Sequence, residues 1–443
     1  MQSSKNKGNG QTEEIRAEYR ERLQTAEDVA ARVQDGWVMF TDAPMTQPYG
    51  LMRAVEQRIA DGELHGVRMN LLLDAHPYRC YTEELADKVE AVSWFSGAAG
   101  RKGIADGFGD IMPCLYHTAH TLIENTPRLD LWMLQTPPMD EEGFFTTPEG
   151  SLGEALKKTA KHIFIQVNKK LPRTNGAVKI HLSEVEAFCE LEETPVILPH
   201  RKVDDISRAI GELIAEEIPD GATIQLGIGA IPDAVGMALR DKKHLGVHSE
   251  LLTNSLTDLI RCGAVDNSRK PIHTGKTVAT FMMGDQDMYD FLDGNPDVLF
   301  LDARYVNDPA VIAQHPHMIS VNAALEVDFF GQAASESVGT IHISGSGGQL
   351  DFVQGAVQSE GGKSFIAFSS TANGGKVSRI RSTLTEGAVV TTGKNDVDCI
   401  VTEYGIARLR GRTVRERTRE LIRIAHPKFR EELEFAARQR HFL

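Results

Sequence analysis

The residues of this chain best able to do chemistry are one carboxylate and two glycine-rich turns. Glu250 lies in Val247-His-Ser-Glu250-Leu-Leu, and its apolar neighbours suggest a strand end or a buried turn. A glutamate placed there is a surface charge, a capping group or a carboxylate nucleophile, and periodicity alone does not choose among them. Upstream, Gly227-Ile-Gly-Ala-Ile-Pro232 follows an apolar run and opens a helical pattern. Gly227 and Gly229 would let the backbone approach a ligand closely. The amides of Ile228, Ala230 and Ile231 at a helix start would face an anion or a developing oxyanion. The plain alternative is a strand-to-helix turn. A third reading is a dinucleotide fingerprint, with Glu250, 21 residues after Gly229, on a ribose; Pro232 stands where the last glycine belongs. Downstream, Gly345-Ser-Gly-Gly348 follows Ile341-His-Ile. Gly345, Gly347 and Gly348 form either a ligand-free loop tip or a loop of exposed amides suited to phosphate or a carbonyl oxygen.

Other chemistries lack their residues. There is no G-x-S-x-G, no H-E-x-x-H and no Lys-Ser/Thr pair completing a phosphate loop at either turn. His117 and His120 have an i,i+3 spacing that could serve a metal, but no third ligand is near in sequence, so we expect no metal site. Arg408-Leu-Arg-Gly-Arg412 reads as a solvated face or a set of salt bridges. The 443 residues carry a net charge of −14 without a Lys/Arg block, which argues against a general nucleic-acid binder. The five cysteines form no C-x-x-C pair, which fits a reducing, cytoplasmic setting. No apolar run reaches the roughly 18 residues a membrane span needs, and the polar start resembles no secretory signal.

The elements that must position these groups alternate in type. A helix is expected over 13–33, with Thr25 as a cap, then Asp35-Gly36, a strand over 37–40, a proline turn and a helix over 50–60. The order recurs later: a helix over 206–218, Asp220-Gly221, a strand over 223–226, a turn with Pro232 and a helix over 234–240. This repetition favours an internal duplication. Further strands are expected at 67–73, 129–134, 163–167, 298–301, 318–321, 364–368, 388–391 and 399–401, with a helix at 152–161 and charged helices after 414 broken at His426-Pro427. Strands alternating with helices imply an α/β chain: parallel or mixed sheets flanked by helices. We place a disordered tail at 1–12, an N-terminal domain at 13–195 and a C-terminal domain at 196–443, with the boundary in a polar, proline-bearing linker.

Together the motifs resemble the acetyl-CoA hydrolase/transferase family, the glutamate-dependent CoA-transferases that include 4-hydroxybutyrate and butyryl-CoA:acetate transferases. The resemblance runs from about residue 19 to about residue 433. It rests on Pro138-Met-Asp-Glu-Glu-Gly-Phe-Phe145, Val167-Asn-Lys-Lys-Leu-Pro-Arg173, Ile180-His-Leu-Ser-Glu184, the Gly227 turn, His248-Ser-Glu250, Val321-Asn-Ala-Ala-Leu-Glu-Val-Asp328, Gly345-Ser-Gly-Gly-Gln-Leu-Asp-Phe352 and Thr402-Glu-Tyr-Gly-Ile-Ala407. It implies two tandem open α/β domains, the first on the acyl-group side and the second with the catalytic glutamate and CoA binding. It also implies that Glu250 is the nucleophile and that no cofactor stays bound, CoA entering as a substrate. On this footing the amides of both turns are candidate oxyanion or CoA contacts, Lys376 a candidate CoA contact and Asn322 a candidate for orienting the acyl group. An ordinary carboxyl titrates near 4.3, so Glu250 is expected to be ionised at neutral pH without a base.

The expected reaction moves CoA between an acyl-CoA and a short acid such as acetate, butyrate, 4-hydroxybutyrate, succinate or itaconate, in a homo-oligomer (dimer or tetramer) with no nucleic-acid or membrane partner. Phe144-Phe-Thr-Thr-Pro148 departs from the family pattern and leaves the acid open. The alternatives are an acyl-CoA hydrolase on the same scaffold, an NAD-dependent oxidoreductase built on the Gly227 turn, and a non-catalytic CoA-binding regulator.

Overall fold

The structure is a computed structural model that describes residues 2–126 and 128–443, the side chains of residues 2–11 excepted. The chain forms two compact units. One holds Met1–Pro113, Thr118–Ile197 and Thr280–Ala303; the other holds Cys114–His117, Leu198–Ala279 and Arg304–Leu443. The main crossing at Ile197/Leu198 lies two residues beyond the expected boundary. Two segments depart from the simple tandem division: 280–303 rejoins the first unit, and four residues at 114–117 belong to the second.

The first unit is built on a seven-stranded sheet. Its strands run in the order 110–111, 89–95, 67–72, 38–41, 131–136, 162–167, 187–190. All the pairings are parallel. Such strands are covered on both faces and read as apolar runs rather than alternations; Leu131–Thr136 is buried at every position. Helix Tyr49–Ala60 sends Leu51, Val55 and Ile59, spaced for one helical face, into a core with Met39, Met69 and Phe164.

In the second unit the strands Gly246–Leu252, Thr223–Leu226, Met318–Ala323, Lys363–Ala367 and Cys399–Thr402 lie side by side in that order and parallel. Gly405–Arg408 closes that edge as an antiparallel hairpin. Helix Asp205–Glu216 is capped by Asp204, whose side chain accepts the Ser207 amide at 2.7 Å. Both units therefore repeat one plan. In each sheet the first strand is central, the second to fourth lie on one side of it, and the later strands lie on the other. This is the order an internal duplication predicts.

Several expectations need correction. A helix runs over Gln2–Arg22 where a disordered tail was expected at 1–12; once a helix is nucleated, each further residue adds a hydrogen bond at little cost. Thr25 does cap the next helix, Ala26–Ala30. The expected strand at 388–391 is a turn held by Ala388 N–H on the Thr385 carbonyl, and the Thr391 amide reaches Ala333. Its Val389 and Val390 are 44% and 41% exposed, so the apolar pair was not a core signal. The helix expected from 234 starts at Ala230. Pro232 sits in its first turn, where a missing N–H costs nothing. The C-terminal break holds: helices Val414–Ile424 and Pro427–Gln439 meet at His426. Arg408 pairs with Glu217 at 2.8 Å, the salt-bridge reading of the basic patch. No helix among the described residues is long and apolar enough to cross a membrane.

Candidate active site

Parallel sheets leave a crevice at the carboxyl ends of their strands where the strand order reverses. In the second unit the reversal falls between Thr223–Leu226 and Met318–Ala323, since the next strands lead away on opposite sides. The Gly227 turn leaves the first of these strands, and Asn322 lies near the end of the second. Thr223 and Ile224 pair with Gly246 and Val247. Continuing that register along the strands brings Gly227 level with Glu250.

Strand Gly246–Leu252 places Glu250 by alternation, on the same face as His248. His248 is fully buried, and its Nε2 lies 2.8 Å from the Val306 carbonyl oxygen. On the other side of the backbone, Lys270 donates from Nζ to the Val247 carbonyl at 2.8 Å, pinning the strand.

The Glu250 carboxylate rests at the start of helix Gln349–Gln358, whose N-cap is Gly348. It accepts the Gly348 amide. Its Oε2 also accepts Nδ2 of the buried Asn307 at 2.7 Å. A Cβ on Gly348 would fall 2.0 Å from both Oε2 and Asn307 Nδ2, so only glycine lets this approach occur. Asn307 Nδ2 lies 3.5 Å from Oδ2 of Asp351, a fully buried carboxylate in the same helix. Asp351 in turn accepts the His117 amide at 3.1 Å, and its Oδ1 lies 2.7 Å from His117 Nδ1.

Burial pushes the Glu250 carboxyl up to about 7, and the nearby Asp351 charge adds to the rise; the Asn307 and Gly348 hydrogen bonds oppose it. This corrects the expectation of a carboxylate fully ionised at neutral pH. Removing a carboxylate from water disfavours its charged form more than two hydrogen bonds restore it.

The other sequence candidates divide. Gly229, at φ 128°, is the N-cap of helix Ala230–Ala238, a backbone geometry that needs glycine. The first amides of that helix have no acceptor within it. Gly227, by contrast, donates its amide to the Val321 carbonyl at 3.1 Å and extends the sheet. Gly348 holds Glu250 rather than presenting a vacant amide. The Gly347 carbonyl receives the Tyr116 amide at 3.2 Å, and Gly345 begins the same loop. Asn322 exchanges hydrogen bonds with the Gln225 amide at 3.2 and 3.3 Å. Lys376 is exposed near the end of a hairpin and is not part of the bonded cluster around Glu250. Sequence reasoning missed Asn307, which no motif flags. It noticed His117 only as a metal candidate and Asp351 only as part of a glycine-turn motif. Among the described residues no cluster of three or more metal-ligating side chains forms.

The fold, the glycine turns and a half-buried glutamate on a helix start define a class. The chain belongs to the acetyl-CoA hydrolase/transferase family: the family's N-terminal domain model matches residues 4–199 and its C-terminal domain model residues 284–437. Among similar proteins are a succinyl-CoA:cyclohexane-1-carboxylate CoA transferase of Geobacter metallireducens, 43% identical over 95% of this chain and 96% of that protein, and a 4-hydroxybutyrate coenzyme A transferase of Clostridium kluyveri, 40% identical over 94% and 97%. The crystal structure of RipA from Yersinia pestis superposes with a TM-score of 0.91 at 36% identity, covering 97% of this chain and 100% of that one.

Proposed function

We propose that this chain is a CoA-transferase that moves CoA between an acyl-CoA and a short carboxylic acid, with Glu250 as its covalent carrier. The observation that carries this reading is the Glu250 carboxyl held by the Asn307 side-chain amide and the Gly348 amide, in the carboxyl half of its strand and level with the Gly227 turn.

The ionised Glu250 attacks the thioester carbonyl. The C–S bond breaks, CoA leaves as the thiolate, and a mixed anhydride remains. The oxyanion formed in that step is met by amides at the start of helix Ala230–Ala238. The thiolate then attacks the glutamyl carbonyl, the anhydride C–O bond breaks, and the first acid leaves as a carboxylate. In this second step the charge develops on the glutamyl oxygen, which Asn307 and Gly348 already hold. Losing one such donor costs roughly 3–4 kcal/mol of activation free energy. The incoming carboxylate runs the two steps in reverse, and Glu250 leaves as it began. No proton is consumed overall. The anhydride requires exclusion of water, and the remote binding energy of CoA can be used to compress the reacting groups.

In this reading Asn322 orients the acyl group and Lys376 meets the CoA phosphates. The acid is short, in the range of acetate, butyrate, 4-hydroxybutyrate, succinate or itaconate. The enzyme works in the cytoplasm as a dimer or tetramer, which light scattering on the purified chain tests.

Incubation with acyl-CoA followed by borohydride or hydroxylamine should modify Glu250 and no other carboxylate by mass spectrometry. Modification of Glu326 or Glu403 instead would overturn the assignment; those two are already engaged by Thr385 and Ser370. Release of CoA at a rate indifferent to added acid would identify a hydrolase.

A further inference from the structure

The four residues Cys114–His117 belong to the second unit although both their flanks belong to the first. They are held there largely by what they grip. The Tyr116 amide donates to the Gly347 carbonyl, one residue before the N-cap that holds Glu250. The His117 amide and ring both engage Asp351. Asp351 is buried beneath this pair, and the Asn307 amide lies between it and Glu250. A continuous chain thus runs from a half-buried imidazole to the Glu250 carboxyl: His117, Asp351, Asn307, Glu250.

We propose that His117 is a positioning residue for Glu250, acting through Asp351 and Asn307 to fix the orientation of the Asn307 amide and to offset the Asp351 charge beside it. The inference rests on Glu250 being the nucleophile and adds a residue to that machinery.

Two physical effects are involved. Asn307 has an NH₂ end and a C=O end of similar size. An acceptor-only carboxylate at Asp351 makes the NH₂ end face both acids, so Glu250 meets a donor. The second effect is charge. The Asp351 charge, across the shared Asn307 amide, disfavours ionisation of Glu250. His117, when protonated beside Asp351, offsets part of that charge at Glu250. The acids around His117 in this unit reinforce the cation: Asp351 on helix Gln349–Gln358 and Asp308 ahead of the turn Pro309–Ile312 raise its proton affinity against the opposing effect of burial. Cys114 on its own segment faces Asp351 and Glu336, and burial with those charges pushes its thiol up to about 12, so it stays neutral.

The test follows the pH dependence of single-turnover formation of the Glu250 adduct in full-length protein. His117→Gln should move the acid limb upward by about one pH unit, a roughly tenfold loss on the acid side that alkaline pH recovers. Asp351→Asn should move it downward, and the double variant should return it near wild type. His117→Lys, which keeps a positive charge, should restore part of the His117→Gln shift. Because Asp351 is buried and its variant can fail to fold, a second measurement reads the coupling from the other end. Linkage is reciprocal, so Glu250→Gln should lower the midpoint of the His117 ring titration followed by NMR. A limb unmoved in His117→Gln while Glu250 still forms the adduct overturns the inference and leaves the function standing, as does a His117 titration indifferent to Glu250→Gln. Absence of the adduct from Glu250 in every variant, wild type included, overturns the function instead.

Discussion

Each unit seats a carboxylate from the end region of its second strand on a helix start, and the two carboxylates are treated differently. In the first unit Asp74 follows the second strand, Val67–Leu72, and sits on the start of helix Ala98–Ala105. It accepts three backbone amides, Gly97 at 2.6 Å, Ala99 at 3.0 Å and Gly100 at 2.9 Å. In the second unit Glu250 lies two residues before the end of strand Gly246–Leu252, beside the first strand, and sits on the start of helix Gln349–Gln358. It has one backbone amide and one side-chain amide, and a second acid, Asp351, stands close by. Burial pushes both carboxyls up. Asp74 is a fixed anchor whose lone pairs are engaged by the main chain. Glu250 has a longer side chain, fewer donors and a neighbour that opposes its charge. A carboxylate seated on a helix start is thus a clamp in the first unit and, in the proposed reaction, the reactive group in the second, with fewer donors around it.

The sharpest way to break this comparison is to neutralise each acid in turn. Glu250→Gln should cut acyl-CoA:acid exchange by more than about 10,000-fold while the protein still melts cooperatively. Asp74→Asn should lower stability by about 1–3 kcal/mol in denaturant melts, with exchange per folded molecule within about threefold of wild type. An Asp74 variant that folds normally but loses exchange as deeply would erase the distinction. The capping glycines come next. Gly348→Ala puts a methyl 2.0 Å from the Glu250 carboxylate and should lower kcat by about 100- to 1,000-fold, as loss of an oxyanion donor does. Gly97→Ala puts one 1.9 Å from the Asp74 carbonyl and should instead cost about 2 kcal/mol of stability, read as a lower melting midpoint.

A smaller effect is the pH profile. With the Glu250 carboxyl raised to about 7, the nucleophilic carboxylate is lost as pH falls through that value, and kcat/KM should drop about tenfold per unit below it. A flat profile down to pH 5 would show an unperturbed carboxyl. The smallest effect is on stability. A raised carboxyl favours the folded state at low pH, and that contribution is lost as pH rises from the unfolded value toward 7. Glu250→Gln should therefore melt higher than wild type at pH 8, and the difference should shrink toward pH 5.

Much of the scaffold was legible because parallel strands are apolar throughout and short. The strand at Thr223–Leu226 begins and ends where its apolar run does, and the duplicated order of elements reappears as a duplicated strand order. The segment at 388–391 misled because two adjacent valines look like a strand whether or not a neighbouring strand accepts their backbone. Strand Val89–Phe95 went unread because Glu90 interrupts its apolar signal, and Ala187–Glu190 because its apolar run is only three residues long. At the site, Glu250 and the Gly227 turn stood out by type and by resemblance. Asn307 did not, since a single asparagine carries no periodic signal.

The amino-acid sequence by itself determined the alternation of strands and helices, the two glycine-bearing helix starts and the family. Tertiary structure decided which amide holds which oxygen, the protonation tendency of Glu250, and the joining of His117 to Asp351 across 234 residues of chain. The reason is physical. Strand, turn and cap preferences act over a few neighbours, whereas desolvation and charge coupling depend on distances that exist only after remote segments have packed together.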